Sequence, residues 1–198
     1  MFSVSKKVFL ILVVCLFLQA SLANFDSFSQ QLVKAAQERA KHKVKYDGTY
    51  RAIAYPMGDV SLSQGVCTDL VVRAYRTLGV DLQQLLHEDM RDNFSKYPNI
   101  WGLRSTDTNI DHRRVPNLQT FFKRNGKELK ISLKGEDYSV GDLVTWMLPG
   151  NLPHIGIVSN QLVQDTKRPK VIHNIGRGPV EDDILFKYQI TGHYRYEM

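Results

Sequence analysis

The chain's hydrophobic periodicity predicts an α+β fold, with helices first and a sheet second. Two observations carry this: apolar residues recur at helical spacing up to Gly126, and short apolar runs bounded by turn residues follow Gly135. A third sets the scale. With 198 residues, 43% of them hydrophobic and 23% charged, and no internal repeat or linker, the chain reads as one soluble domain with a core of its own. Two cysteines are too few for a disulfide scaffold, and thirteen Gly with seven Pro exclude a collagen-like or low-complexity chain.

The start reads as a leader rather than as structure. Lys6 and Lys7 precede an apolar run from Val8 to Leu18, and Ser21-Leu22-Ala23 forms a small-residue cleavage site. That run is too short to cross a hydrocarbon core of about 30 Å, so an uncleaved anchor is disfavoured. Val14 before Cys15 argues against a lipoprotein. Residues 1–23 are therefore expected to be a signal peptide, with residues 24–198 a single exported domain, in periplasm or medium and without stable membrane insertion. Cleavage removes Cys15 and leaves Cys67 as the lone thiol, which cannot be half of an internal disulfide. The thiol is either inert and buried, or reactive.

Each element has its own signal. Phe25, Phe28, Leu32, Ala35, Ala36 and Ala40 mark an amphipathic helix over 24–41, with Ser27 and Gln30 placed as a capping box. A loop containing Pro56, Gly58 and Gly65 leads to Cys67, which opens a helix with Leu70, Val71, Ala74, Tyr75 and Leu78 inward and Gly79 past its end. Another helical stripe follows Asp81. From Tyr97 to Val115 periodicity is lost. Pro116 opens a short helix ending near Gly126. Strands are predicted at Val140–Met147, Pro153–Ser159, Lys170–Ile175 and Ile190–Tyr196.

Chemistry concentrates in three residues. Cys67 begins a helix, where unpaired N–H groups and the positive dipole end favour thiolate. His154 starts one strand and His173 lies in the next. A nucleophilic thiol needs an imidazole within reach, and that imidazole needs a polar group to fix its tautomer. The bland alternative is a buried cysteine with two incidental histidines.

Gly65-Val66-Cys67, the helix residues Leu70 to Tyr75, Gly141-Asp142-Leu143-Val144 and His154-Ile155-Gly156-Ile157-Val158 resemble the NlpC-type cysteine peptidases, papain-like enzymes of bacterial cell walls. The likeness spans roughly residues 50 to 176. It implies a papain-like NlpC-type fold, with N-terminal helices and the nucleophile at a helix start packed on an antiparallel sheet. It further implies Cys67 as nucleophile, His154 as base, and His173 rather than Asn174 as the orienting residue, since neighbours on a strand face opposite ways. Tyr55, twelve positions before Cys67, matches a family tyrosine and is a candidate oxyanion donor beside the Cys67 backbone N–H. The departures are Val66 before the cysteine, Thr68-Asp69 after it, and a longer stretch between helix and sheet. That stretch resembles a branch of exported bacterial proteins known as a domain of unknown function, the YijF-like group.

The resemblance implies a cysteine hydrolase cleaving an amide bond in peptidoglycan stem peptides, with muropeptides as partners, no cofactor and a monomeric chain. An acyltransferase, or a non-catalytic wall-binding module of the same fold, is the alternative. A zinc site of Cys67, His154 and His173 has the ligand count but no recognisable spacing, so no metal is expected. The net charge of +6 suits anionic wall polymers, and export disfavours nucleic acid. Asp142 reads as a structural turn residue, and Asp69 as an acid placed for the helix dipole. The stretch Asp107 to Arg114 supports two readings: a substrate-facing loop with Arg113 or Arg114 on a stem carboxylate, or an internal brace with Asp107 and Asp111 pairing those arginines. The brace is the expected one, because neighbouring opposite charges usually pair locally.

Overall fold

The computed structural model describes residues 28–198. The expected leader, its cleavage site, Cys15 and the expected helix start over residues 24–27 lie outside the described residues. The remainder of that helix, α1, runs over 28–40 with Leu32, Val33 and Ala36 buried. Next come α2 (Cys67–Thr77), α3 (Leu82–Asp92) and α4 (Val115–Asn125). The Asp81 side chain caps α3 by accepting the Gln83 N–H, as its position before the apolar stripe predicts. Pro116 stands in the first turn of α4, where its missing N–H removes no helical bond.

The main sheet is antiparallel. Its strands are β3 (Lys127–Glu128), β4 (Leu143–Leu148), β5 (Leu152–Leu162), β6 (Pro169–His173), β7 (Val180–Asp182) and β8 (Gln189–Arg195), in spatial order β3-β8-β4-β5-β6-β7. The four longer strands are those the apolar runs predict. The short β3 and β7 at the edges are not predicted, and neither is a two-stranded parallel pair, β1 (Lys45–Tyr46) with β2 (Gln64–Gly65). Two or three residues are too few to display a period.

The two faces of the sheet carry different cores. Leu143, Ile155, Ile157 and Ile172 pack with α1, α2 and α4 in the larger core, while Val144, Trp146, Val158 and Val171 meet Tyr138, Ile184 and Leu185 in a smaller one. This alternation is the two-residue period of a strand buried on both faces. Gly156, opposite His173, allows a close approach: a Cβ there would fall 2.7 Å from Val171 Cγ1 and 3.1 Å from His173 Cβ.

The stretch 97–115, aperiodic in sequence, is ordered at its end. Its last part is a 3₁₀ turn, Asp111–Arg113, whose three residues are all buried. A polar, aperiodic segment can be interior when other elements meet its polar groups. Here Thr68 Oγ1 donates to Arg113 O at 3.1 Å, and Asn117 Nδ2 donates to Asp111 O at 3.1 Å.

Candidate active site

Cys67 is the first residue of α2 and is buried and free. Val66, the residue before it, has no side-chain oxygen to cap the helix. Asp69 reaches back from the first turn instead, its Oδ2 accepting the Val66 N–H at 2.6 Å. Gly65 suits this close turn, with φ of 155° and space for a Cβ only 3.0 Å from Asp69 Oδ2.

The Asp69 carboxylate is in turn held by Arg113, Nε to Oδ1 at 2.9 Å and Nη2 to Oδ2 at 3.0 Å. The other Arg113 donations go to the Thr49 and Asp47 carbonyls at 3.2 and 3.0 Å. Arg113 is thus an internal brace, but its partner is Asp69, 44 residues away, rather than Asp107 or Asp111.

His154 and His173 meet each other. Nε2 of His154 lies 3.3 Å from Nδ1 of His173, with the rings edge to face. His154 stands opposite Trp146 and His173 opposite Gly156, so by strand alternation both imidazoles share the face of the smaller core. Asn174 turns the other way, with Nδ2 3.5 Å from Gly65 O. Because β6 ends opposite Gly156, the edge of β5 at Ile155 is open. The Cys67 thiol occupies that edge and receives the Ile155 backbone N–H. The thiol and the imidazole pair are thus attached to consecutive residues, Ile155 and His154, and no hydrogen bond joins Cys67 to His154 among the described residues.

Burial dominates the electrostatics. It pushes the Cys67 thiol up to about 11, against the lowering effect of the Ile155, Thr68 and Cys67 backbone N–H groups. This corrects the expectation of a thiolate favoured by the helix start: desolvation outweighs the amides. Burial lowers His154 to about 3, with the His173 charge a smaller cause, and lowers His173 to about 4. Burial thus favours the neutral form of the thiol and of both imidazoles.

Cys67 faces a cleft of about 210 Å³ whose walls include Tyr46, Trp101, Arg114, Val115 and Pro153. Tyr46 arrives through the parallel pairing that sets it against Gly65. Tyr55 does not line this cleft. It packs edge-on against His87 of α3, with ring centroids 5.0 Å apart, so Tyr46 takes the place by the thiol that sequence reasoning gave to Tyr55. The spacing in sequence could not reveal the substitution, since it depends on which strand pairs with Gln64–Gly65. Asp142 is wholly structural. Buried in its turn, it accepts from Ser139 N, His193 Nε2 and Arg195. Among the described residues no three His, Cys, Asp or Glu side chains form a metal-ligating group.

Helices packed on one face of an antiparallel sheet, with a thiol at a helix start and a histidine pair bridging two neighbouring strands, define the chain as an α+β protein. The chain belongs to the family described as Domain of unknown function (DUF1287), whose model matches residues 33–196. It is 48% identical over 165 residues to protein YijF of Escherichia coli (strain K12), covering 83% of this chain and 80% of that relative. Among solved structures it is similar to an N-acetylmuramoyl-L-alanine amidase from Bacteroides uniformis ATCC 8492, with a TM-score of 0.49 and 13% identity over 86% of this chain and 99% of the other.

Proposed function

We propose that the protein is an exported NlpC-type cysteine hydrolase that cleaves an amide bond in peptidoglycan stem peptides. One observation carries the reading: the His154–His173 hydrogen bond, set on a strand whose next residue donates its N–H to the buried Cys67 thiol. With Nε2 of His154 committed to His173, Nδ1 is the nitrogen left to act on the thiol. The tautomer that permits this carries its proton on Nε2 and donates it to His173 Nδ1. His173 then fixes the ring and supports the imidazolium formed during the reaction.

Because thiol and imidazole both rest neutral, proton transfer accompanies attack. The Cys67 S–H proton passes to His154 Nδ1 as sulfur bonds to the amide carbon. Catalytic hydrogen bonds in a free enzyme are often long and tighten only with substrate, which accommodates the missing thiol–imidazole contact. Charge developing on the carbonyl oxygen is met by N–H groups at the start of α2. His154 gives its proton to the departing amine, then draws one from the water that hydrolyses the thioester.

The thiol's deep burial favours a second reading, a wall-binding module of the same fold that has no turnover. Mass spectrometry of muropeptides released from purified sacculi separates the two. We expect the protein to release new fragments and Cys67→Ala to release at least ~10³-fold less, with both melting alike. Equal release by both proteins sinks the cysteine mechanism, and no release by either favours the binding module.

A further inference from the structure

Arg113 and Arg114 are adjacent in sequence and differ in what their guanidinium groups do. All the Arg113 contacts are internal, and its side chain is 2% exposed. The Arg114 side chain is 18% exposed and lines the Cys67 cleft. Its guanidinium carbon lies 4.1 Å from the centre of the Trp101 ring, and its Nη1 lies 3.5 Å from Asp111 Oδ1. Neither of those two atoms makes a hydrogen bond, although both are buried. Among the described residues, no donor of the Arg114 guanidinium has a hydrogen-bonded acceptor. The other Asp111 oxygen, Oδ2, accepts the Asp107 N–H at 2.5 Å.

A guanidinium has five donors in a planar fork matched to a carboxylate. Leaving the buried Nη1 without an acceptor beside a cleft is costly unless something else takes it up. The aromatic face beneath attracts the cation without using any N–H. Arg114 is also the N-cap of the eleven-residue helix α4, and Val115 and Pro116 form part of the same wall. The positive end of that helix adds to the preference for an anion.

We propose that Arg114, set over the Trp101 ring, is the residue of the Cys67 cleft that recognises a free carboxylate of the substrate. The inference deepens the hydrolase reading and rests on it for the identity of the ligand, a stem peptide with unblocked carboxylates. Arg114 would donate two parallel N–H bonds to that carboxylate, displacing the loose Asp111 contact. It is a specificity residue, and it explains why this cleft would prefer a peptide with a free acid to its amidated counterpart.

The test separates binding from turnover. In Cys67→Ala protein, affinity is measured for a stem tripeptide and for the same peptide with each carboxylate amidated in turn. Trp101 is partly exposed and Trp146 fully buried, so fluorescence quenching reports on the cleft. We expect amidation of one particular carboxylate to weaken binding roughly 10- to 100-fold, the loss of a charge-assisted pair. Adding Arg114→Gln should weaken the free acid by a similar factor and erase the discrimination. Arg114→Lys keeps the charge without the fork and should fall between; it also serves if the Gln variant melts early.

Discrimination that persists in Arg114→Gln, or equal binding of acid and amide by the Arg114 protein, overturns the proposal, as does failure of the free acid to bind at all. Failure of the hydrolase reading looks different: carboxylate discrimination intact in the binding assay, with no cleavage of sacculi by protein that retains Cys67.

Discussion

On β8, both ring nitrogens of His193 face acceptors, Lys130 O at 3.2 Å and Asp142 Oδ2 at 2.8 Å, and Asp142 also receives Arg195 at 2.7 and 3.1 Å. On β5 and β6, His154 and His173 have one hydrogen bond between them, and the outer nitrogen of His173, Nε2, is buried without a partner among the described residues. The pairs lie on the same sheet at similar burial, yet one network is complete and the other is half made. A completed buried network fixes a fold, whereas donors and acceptors left open at low dielectric cost stability and persist where chemistry uses them. The same division separates Arg113, fully bonded, from Arg114, which is not.

The largest expected effect tests the completed side. Asp142→Ala removes the acceptor of a buried imidazole, a guanidinium and the Ser139 N–H at once. Breaking a buried charged pair costs about 3–5 kcal/mol, or roughly 10 °C or more in Tm for a chain of this size. Thermal unfolding measures it. Below the new Tm, kcat/KM should stay within about twofold of the parent, because no atom of this network reaches the cleft. A variant that melts normally but has lost turnover would invert the comparison.

A smaller effect is expected from the half-made side. His173→Ala takes away the acceptor that orients His154 and deletes an atom that was unpartnered, so stability should change little. Turnover should drop roughly 10- to 100-fold, falling in kcat rather than rising in KM, as for a group that orients a catalytic base. Restoration of part of that loss by His173→Asn would mark the contribution as orientation. A drop in Tm with kcat intact would reassign His173 to the packing of the smaller core.

How far the sequence reveals this division depends on the range of each contact. The helix start at Cys67, the turn at Asp142 and the four longer strands are legible because their signals lie within a few residues. His173 rather than Asn174 beside His154 is legible too, since alternation along one strand decides it. The rest depends on distant pairings. Tyr46 reaches the thiol only because β1 and β2 pair in parallel, and two-residue strands show no period. Arg113 finds Asp69 rather than its acidic neighbours, because the 3₁₀ turn that contains it is packed inward against α2. Burial itself is invisible in a local pattern. The helix start at Cys67 argues for a thiolate, and only the packed structure shows the desolvation that overrides it.

The smallest expected effect is a near-absence of one. An ordinary histidine, titrating near 6.5, would make activity fall by half as pH passes that value from above. His154 is lowered to about 3 by burial and by the neighbouring imidazole, so it is a neutral base throughout the range from pH 8 to about 5. The thiol, pushed up to about 11, is likewise protonated across that range. kcat/KM should therefore be flat, within about twofold, between pH 5 and 8. Stability behaves differently. His154, His173 and the buried His112, lowered to about 3, 4 and 4, all bind protons more readily in the unfolded chain. Their contribution to stability is complete above about 6.5 and erodes as pH falls through that value toward 3–4. Tm should start to decline while kcat/KM, measured well below Tm, is still level. Loss of activity below about pH 5 should then follow the loss of folded protein. A kinetic inflection near 6.5 with Tm unchanged would mean that His154 is solvated in the working enzyme, and the contrast between a sealed, half-made site and a completed network would fail at its central residue.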